Sequence, residues 1–276
     1  MTTAYRRFRH LASALVNREH PVPMPVYESF DAALRDSNSY EDPRLIEVVA
    51  EKTRNYKEAL AHCDSRIVES RQSVQNMFVL SFVKQQRPLN VVEIGGACGA
   101  SYFEAKHLRP VSIDQWSIVE TPLMASAGNL VNDDPALSFH TDIDAALQAL
   151  TSVDIVIVQG TLQYLPDPGQ LLKNLFSSGI PYIYVTRTPV TNQNTPIITK
   201  QETDLSAHGP GTLPNMADAK STQPMTLLSQ GLLFSFVPLA YEIVFTFNES
   251  EARMLPIGNS NLAVRDIGFL VRKQVY

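Results

Sequence analysis

The 276-residue sequence predicts an α/β protein: a mainly parallel sheet with helices on both faces, an antiparallel last strand and a helical N-terminal extension. Three observations predict it. From Leu89 onward, short apolar runs alternate with helix-like stretches, the pattern of parallel strands joined by crossover helices. One run, DIVIVQG at residues 154–160, is almost entirely apolar, as a central strand buried on both faces must be. The first run ends in VVEIGGACGA, residues 91–100, a glycine-rich turn of the kind that brings backbone close to a ligand at the carboxyl end of a sheet.

The elements follow in order. Residues 1–88 read as a basic, proline-punctuated arm followed by a helical extension. Asp42 and Pro43 form an N-cap and first-position pair, after which Leu45, Ile46, Val49 and Ala50 share one helical face. Ile67, Val74, Met77, Phe78, Leu80 and Phe82 mark a second apolar helix. Residues 89–276 form the sheet domain, with strand-like runs at 89–94, 116–119, 137–139, 153–158 and 180–185. Helix-like stretches fall near 102–108, 123–130, 143–150 and 170–176. Residues 186–222, with Pro189, Pro196, Pro210 and Pro214, read as a long lid-like loop. A helix-like stretch near 226–228 and strands near 242–247 and 267–271 close the chain.

Composition narrows the function. At 44% hydrophobic and 18% charged residues, the chain can bury a sizeable core. The net charge of −5 offers no basic field for nucleic acid. Cys63 and Cys98 have no pairing pattern, so a reducing, cytoplasmic location is expected. The six histidines lack metal-ligand spacing, and no metal is expected. Arg6, Arg7, Arg9 and His10 precede an apolar stretch too short for a signal-peptide core and read as a frayed arm. The apolar window 231–247 is broken by Pro238 and Glu242, so no membrane span is expected.

The glycine turn discriminates among ligands. A phosphate loop needs Lys and then Ser or Thr after its last glycine, and Ala100 and Ser101 follow Gly99 instead. The dinucleotide spacing G-x-G-x-x-G falls on Gly95, Ala97 and Ala100, so one glycine remains. The alternative E-x-G-x-x-x-G fits: Glu93 ends the first strand, Gly95 and Gly99 flank the turn, and Gly96 lies within it. Glu120 ends the second strand, 21 residues after Gly99, where a carboxylate accepts from two ribose hydroxyls. A carboxylate at position 93 repels pyrophosphate and favours an ammonium. S-adenosyl-L-methionine carries an ammonium, a sulfonium and a ribose, and no phosphate.

The ordered segments EIGGACG, WSIVETP, DIVIVQGTLQYL and YIYVTRTP resemble the class I S-adenosylmethionine-dependent methyltransferases. Within them the chain is similar to a group often associated with surface-polysaccharide gene clusters, whose N-terminal region YESFDAAL at 27–34 also resembles. The resemblance implies a Rossmann-like sheet and methyl transfer to a small-molecule or glycan acceptor, with O-methylation of a sugar in polysaccharide biosynthesis as the specific expectation. Ala97 departs from the group's middle glycine.

The candidate site follows from these placements. Cofactor binding is expected of Glu93, Gly95, Gly96, Gly99, Glu120, Asp142, Gln159 and Gly160; Asp142 reads equally as a helix cap beside His140. Gln159, Gly160 and Thr161 end the fourth strand, where open α/β sheets bind ligands. Three catalytic candidates follow. Tyr164, with Gln163 beside it, either orients an acceptor or packs. Arg187 either clamps an acidic acceptor or pairs with a local Asp. His208, in AHGPG, is either a general base or a solvated loop residue. Two other classes remain open: a non-catalytic scaffold, allowed by Ala97, and a nicotinamide-dependent oxidoreductase, disfavoured by Glu93 and the glycine spacing.

Overall fold

The computed structural model describes residues 22–38, 40–63, 70–83, 86–211, 213 and 220–274. The basic arm at 6–16 lies outside the described residues. The chain begins with β1 (Val26–Tyr27), α1 (Phe30–Arg35), α2 (Pro43–Ala61) and α3 (Arg71–Val83). Asp42 caps α2 by accepting from the Arg44 N–H, and Pro43 takes the first helical position, where a missing N–H costs nothing.

The sheet domain continues with β2 (Leu89–Ile94), α4 (Ala100–Leu108), β3 (Ile113–Val119), α5 (Pro122–Val131), β4 (Leu137–His140) and α6 (Ile143–Gln148). Then come β5 (Ile155–Gln159), α7 (Pro168–Ser177), β6 (Tyr182–Thr191), β7 (Ile197–Asp204), β8 (Lys220–Ser229), α8 (Gln230–Ser235), β9 (Tyr241–Asn248), β10 (Arg253–Ile257) and β11 (Ser260–Lys273). Strands β4, β3, β2, β5 and β6 lie side by side and parallel. β11 runs antiparallel beside β6, and β9 pairs with its far side. The antiparallel strand is last in the chain but sits between β6 and β9 in space. This is a Rossmann-like, mainly parallel α/β sheet.

Period-two alternation places successive side chains in two cores. Val91, Trp116 and Tyr184 pack with Leu45, Val79 and Tyr102 under α2–α4. Val92, Val156, Ile183 and Val185 pack with Ala146, Leu172 and Leu233 under α6–α8. Each of the valine, leucine and isoleucine side chains among them contributes roughly 1.5–3 kcal/mol on full burial.

Three expectations are corrected. The described residues of the 186–222 segment are not a lid-like loop but largely strand. β6 extends to Thr191, and β7 pairs antiparallel with β8 from Ile197↔Leu227 to Asp204↔Lys220. The prolines were misleading because Pro189 lies inside β6 without breaking the strand. Residues 226–228 lie in β8 rather than in a helix; their Met-Thr-Leu-Leu context is buried on both faces, which erases the alternation that marks a strand. On α3 the apolar face is partly inverted. Val74, Phe78 and Phe82 are 58%, 47% and 39% exposed, while Ser73, Gln75 and Asn76 are buried. Ile67 lies outside the described residues.

Among the described residues no helix is long and apolar enough to cross a membrane, and no group of three His, Cys, Asp or Glu side chains is placed to hold a metal.

Candidate active site at the carboxyl ends of the parallel strands

A cavity of about 650 Å³ opens at the carboxyl ends of β2, β3, β5 and β6. α2 and α3 close one side, and the segment after β7 another; both contribute lining residues.

The turn after β2 is built for close approach. Gly95 has φ +79°, and a side chain there would collide with the Thr161 hydroxyl. Thr161 is itself pinned to the backbone oxygens of Ile94 and Gln159 at 3.0 and 3.1 Å. A Cβ on Gly96 would come within 2.8 Å of the Glu93 carboxyl. Ala97 takes φ +50°, a left-handed conformation unusual for a residue with a Cβ.

Glu93 is completely buried. Its Oε2 accepts from the Trp116 indole N–H at 3.0 Å, its Oε1 has no hydrogen-bond partner among the described residues, and the residue lines the cavity. Burial pushes its carboxyl up to about 7, against hydrogen bonding from Ser101 and Trp116, and the Glu120 charge adds to the rise. Glu120 stands across the turn. Its Oε1 accepts from the Ala97 N–H at 2.8 Å and its Oε2 from the Thr121 N–H at 3.0 Å. Burial raises its pKa too, with those two N–H groups opposing. Each of its oxygens keeps a second lone pair for a hydroxyl.

These residues fit S-adenosyl-L-methionine. The unpartnered Glu93 oxygen suits an ammonium, the Glu120 oxygens suit vicinal hydroxyls, and the side-chain-free path at Gly95–Gly96 admits the ligand beside them.

Gln159, Gly160, Tyr164, Arg187 and His208 line the same cavity. Gln159 Oε1 accepts from Asn76 Nδ2 at 2.9 Å. The Tyr164 hydroxyl donates to Gln201 Oε1 at 2.6 Å, and its ring meets the Tyr40 ring edge-on at 4.9 Å. His208 is partly buried and its Nε2 has no hydrogen-bond partner among the described residues. Burial holds its pKa below the ordinary histidine value, and the charges of Lys52 and Arg187 push the same way.

Two expected residues fall elsewhere. Asp142 caps α6 by accepting from the Ala145 N–H at 2.8 Å and is exposed, outside the cavity lining. Gly99, at φ +90°, precedes α4 and is not among the residues lining the cavity; a Cβ there would meet Leu137 at 3.0 Å. Cys98 is a buried apolar residue, its thiol pushed up to about 12 by burial.

Sequence reasoning did not name the residues with which the extension walls the cavity. Tyr40, Leu45, Val49, Thr53 and Asn76 all reach the cavity. It also missed Lys52, which is 2% exposed and donates to the backbone oxygens of Ser206, His208 and Gly209 at 2.8, 2.5 and 3.1 Å. The available signal was a lysine continuing the buried stripe of Leu45 and Val49.

A scan against protein-family models finds no match, and a search of curated proteins finds none. Solved structures do match. The N-terminal domain of EvdMO1 with SAH bound is 12% identical, covering 81% of this chain and 97% of its own, with a TM-score of 0.47. Human N-acetylserotonin methyltransferase in complex with SAM is 18% identical, covering 99% of this chain and 68% of its own, with a TM-score of 0.45. At such values the likeness carries nothing about this chain's ligand, and the functional argument rests on its own residues.

Proposed function

We propose that this protein is an S-adenosyl-L-methionine-dependent methyltransferase acting on a hydroxyl of a small-molecule or glycan acceptor, a sugar being the favoured class, in the cytoplasm. The observation that carries the reading is the pair of carboxylates, fully buried Glu93 and partly buried Glu120, on either side of the Gly95–Ala97 turn in one cavity. A pyrophosphate in that place would face both carboxylates, which counts against a nicotinamide cofactor.

In this reading Glu93 receives the ammonium and Glu120 the ribose hydroxyls. The bound cofactor supplies a methyl group on a sulfonium, which is already a good leaving group. This chain therefore has to position the acceptor in line and exclude water. His208 supplies the remaining function. Its Nε2, held neutral, takes the proton of the acceptor hydroxyl as the new O–C bond forms. Tyr164 and Tyr40 form the apolar wall against which a sugar ring packs.

Calorimetric titration with S-adenosylhomocysteine tests the reading. Micromolar binding by the wild type, weakened at least about tenfold in Glu120→Ala, is the expected result. A second reading, a scaffold that keeps the fold without catalysis, draws on the strained Ala97 within the turn. Absence of binding by the wild type favours it.

A further inference from the structure

The backbone of β6 departs from regular pairing at one place. Val185 pairs with Phe269 of β11, and Thr188 pairs with Ile267. Two residues of β6, Thr186 and Arg187, therefore face the single residue Gly268. A bulge of this kind re-aims a side chain that would otherwise follow the pleat. Arg187 takes φ +55°, a left-handed conformation that is strained for any residue with a Cβ and persists only where the surroundings hold it.

The surroundings do hold it, at both ends of the residue. The Arg187 N–H donates to Glu249 Oε2 at 2.5 Å. The Arg187 backbone oxygen accepts from Gln163 Nε2 at 3.4 Å. Glu249 is anchored in turn: its Oε1 accepts from the Thr186 hydroxyl and from Gln75 Nε2. A side chain on Gly268 would collide with that carboxyl. The bulge, the glycine opposite it and the carboxylate filling the space form one unit.

The consequence is the position of the guanidinium. The Arg187 side chain lies across Gly160, 3.6–3.7 Å from where a Cβ would stand, and reaches the cavity wall. Among the described residues it forms no ion pair. Glu249, the carboxylate nearest its backbone, is engaged by donors from three residues. β6 is two strands away from β2, whose turn carries Glu93, so the guanidinium faces the acceptor part of the cavity rather than the amino-acid end of the cofactor.

We propose that the Thr186–Arg187 bulge is a built anion anchor, and that the acceptor carries a carboxylate or phosphate group held by the Arg187 guanidinium, with Glu249 as the positioning residue. A planar fork of N–H donors binds either oxyanion in two-point fashion. The inference rests on the methyltransferase reading and adds the charge of its acceptor.

The test is calorimetric titration of protein loaded with S-adenosylhomocysteine, using glucose 1-phosphate, glucuronate and neutral methyl glucoside at low ionic strength. At least one charged sugar binds about tenfold more tightly than the neutral one. Arg187→Met abolishes that preference, Arg187→Lys retains part of it, and Glu249→Gln reduces it, all without weakening S-adenosylhomocysteine. Arg187→Gly, which suits the left-handed backbone, stays folded and loses the preference as well. Three results overturn the proposal: no binding of either charged sugar up to about 10 mM, a preference unchanged in Arg187→Met, or a loss of S-adenosylhomocysteine affinity in that variant, which assigns the guanidinium to the cofactor carboxylate. A preference unchanged in Glu249→Gln removes the positioning role. If the wild type does not bind S-adenosylhomocysteine, the methyltransferase reading fails, and titration of the free protein still decides the anchor.

Discussion

The Lys52 ammonium donates to the backbone oxygen of His208 at 2.5 Å and, through Ser206 and Gly209, grips both sides of the residue that offers the unpartnered imidazole nitrogen. A helix of the N-terminal extension thus fixes a loop that follows β7, and its charge stands beside the imidazole. Removing the amine leaves three backbone oxygens without their donor. Lys52→Met is expected to loosen residues 205–211 by about 1–2 kcal/mol, seen as faster amide exchange there than in the wild type. Exchange unchanged in that segment counts against the latch.

The same contact sets the expected pH behaviour of His208. Burial, Lys52 on α2 and Arg187 in the bulge of β6 all disfavour the imidazolium, and the Tyr40 and His208 rings meet edge to face. The base is therefore ready at neutral pH and is lost only as pH falls below the ordinary histidine range. His208→Ala should lower kcat about 100-fold or more and erase the acidic limb of the kcat/KM profile. Lys52→Met should move that limb to higher pH.

Glu93 predicts a proton count. Its folded pKa of about 7 lies above the ordinary value of 4.5, so the folded state binds the proton more tightly. Its contribution to stability is full below about pH 4.5 and declines as pH rises towards 7. An ammonium on Oε1 favours the carboxylate, so cofactor binding near pH 6 should release close to one proton and tighten as pH rises to about 7. Titration in two buffers of different ionisation enthalpy measures the release. In Glu93→Gln the release should vanish.

Ala97 is the residue where the turn departs from glycine, and its φ of +50° identifies the cost. Ala97→Gly is expected to stabilise the fold by about 1 kcal/mol, raising Tm by a few degrees, without weakening S-adenosylhomocysteine. A lower Tm contradicts the strain assigned to Ala97.

Much of the architecture is legible in the sequence because it is local and repeated. Each β-turn-α unit carries its own periodicity, so the runs beginning at Leu89, Trp116 and Leu137 identify themselves as strands by their residues alone. The second half of β6 and β8 were not legible. Strands buried on both faces lose their alternation, and Pro189 and Pro224 each pair in register on one side only, where a missing N–H is tolerated. The misreading of α3 has a similar cause. Its buried stripe of Ser73, Gln75 and Asn76 is polar because it meets Tyr184, Glu104 and Gln159, and no sequence period announces partners that distant.

By itself, the sequence determined the parallel sheet, the glycine turn and the Glu93–Glu120 pair. Those features sit within one β-α-β unit, where Glu120 and Ala97 are 23 residues apart and strand geometry sets their distance. Only the tertiary structure decided how Arg187 is aimed, how Glu249 holds it and how Lys52 latches His208. These contacts join residues 62 and 156 positions apart in the chain. Over such separations local spacing constrains nothing, and the meeting of the groups follows from which strands the fold brings side by side.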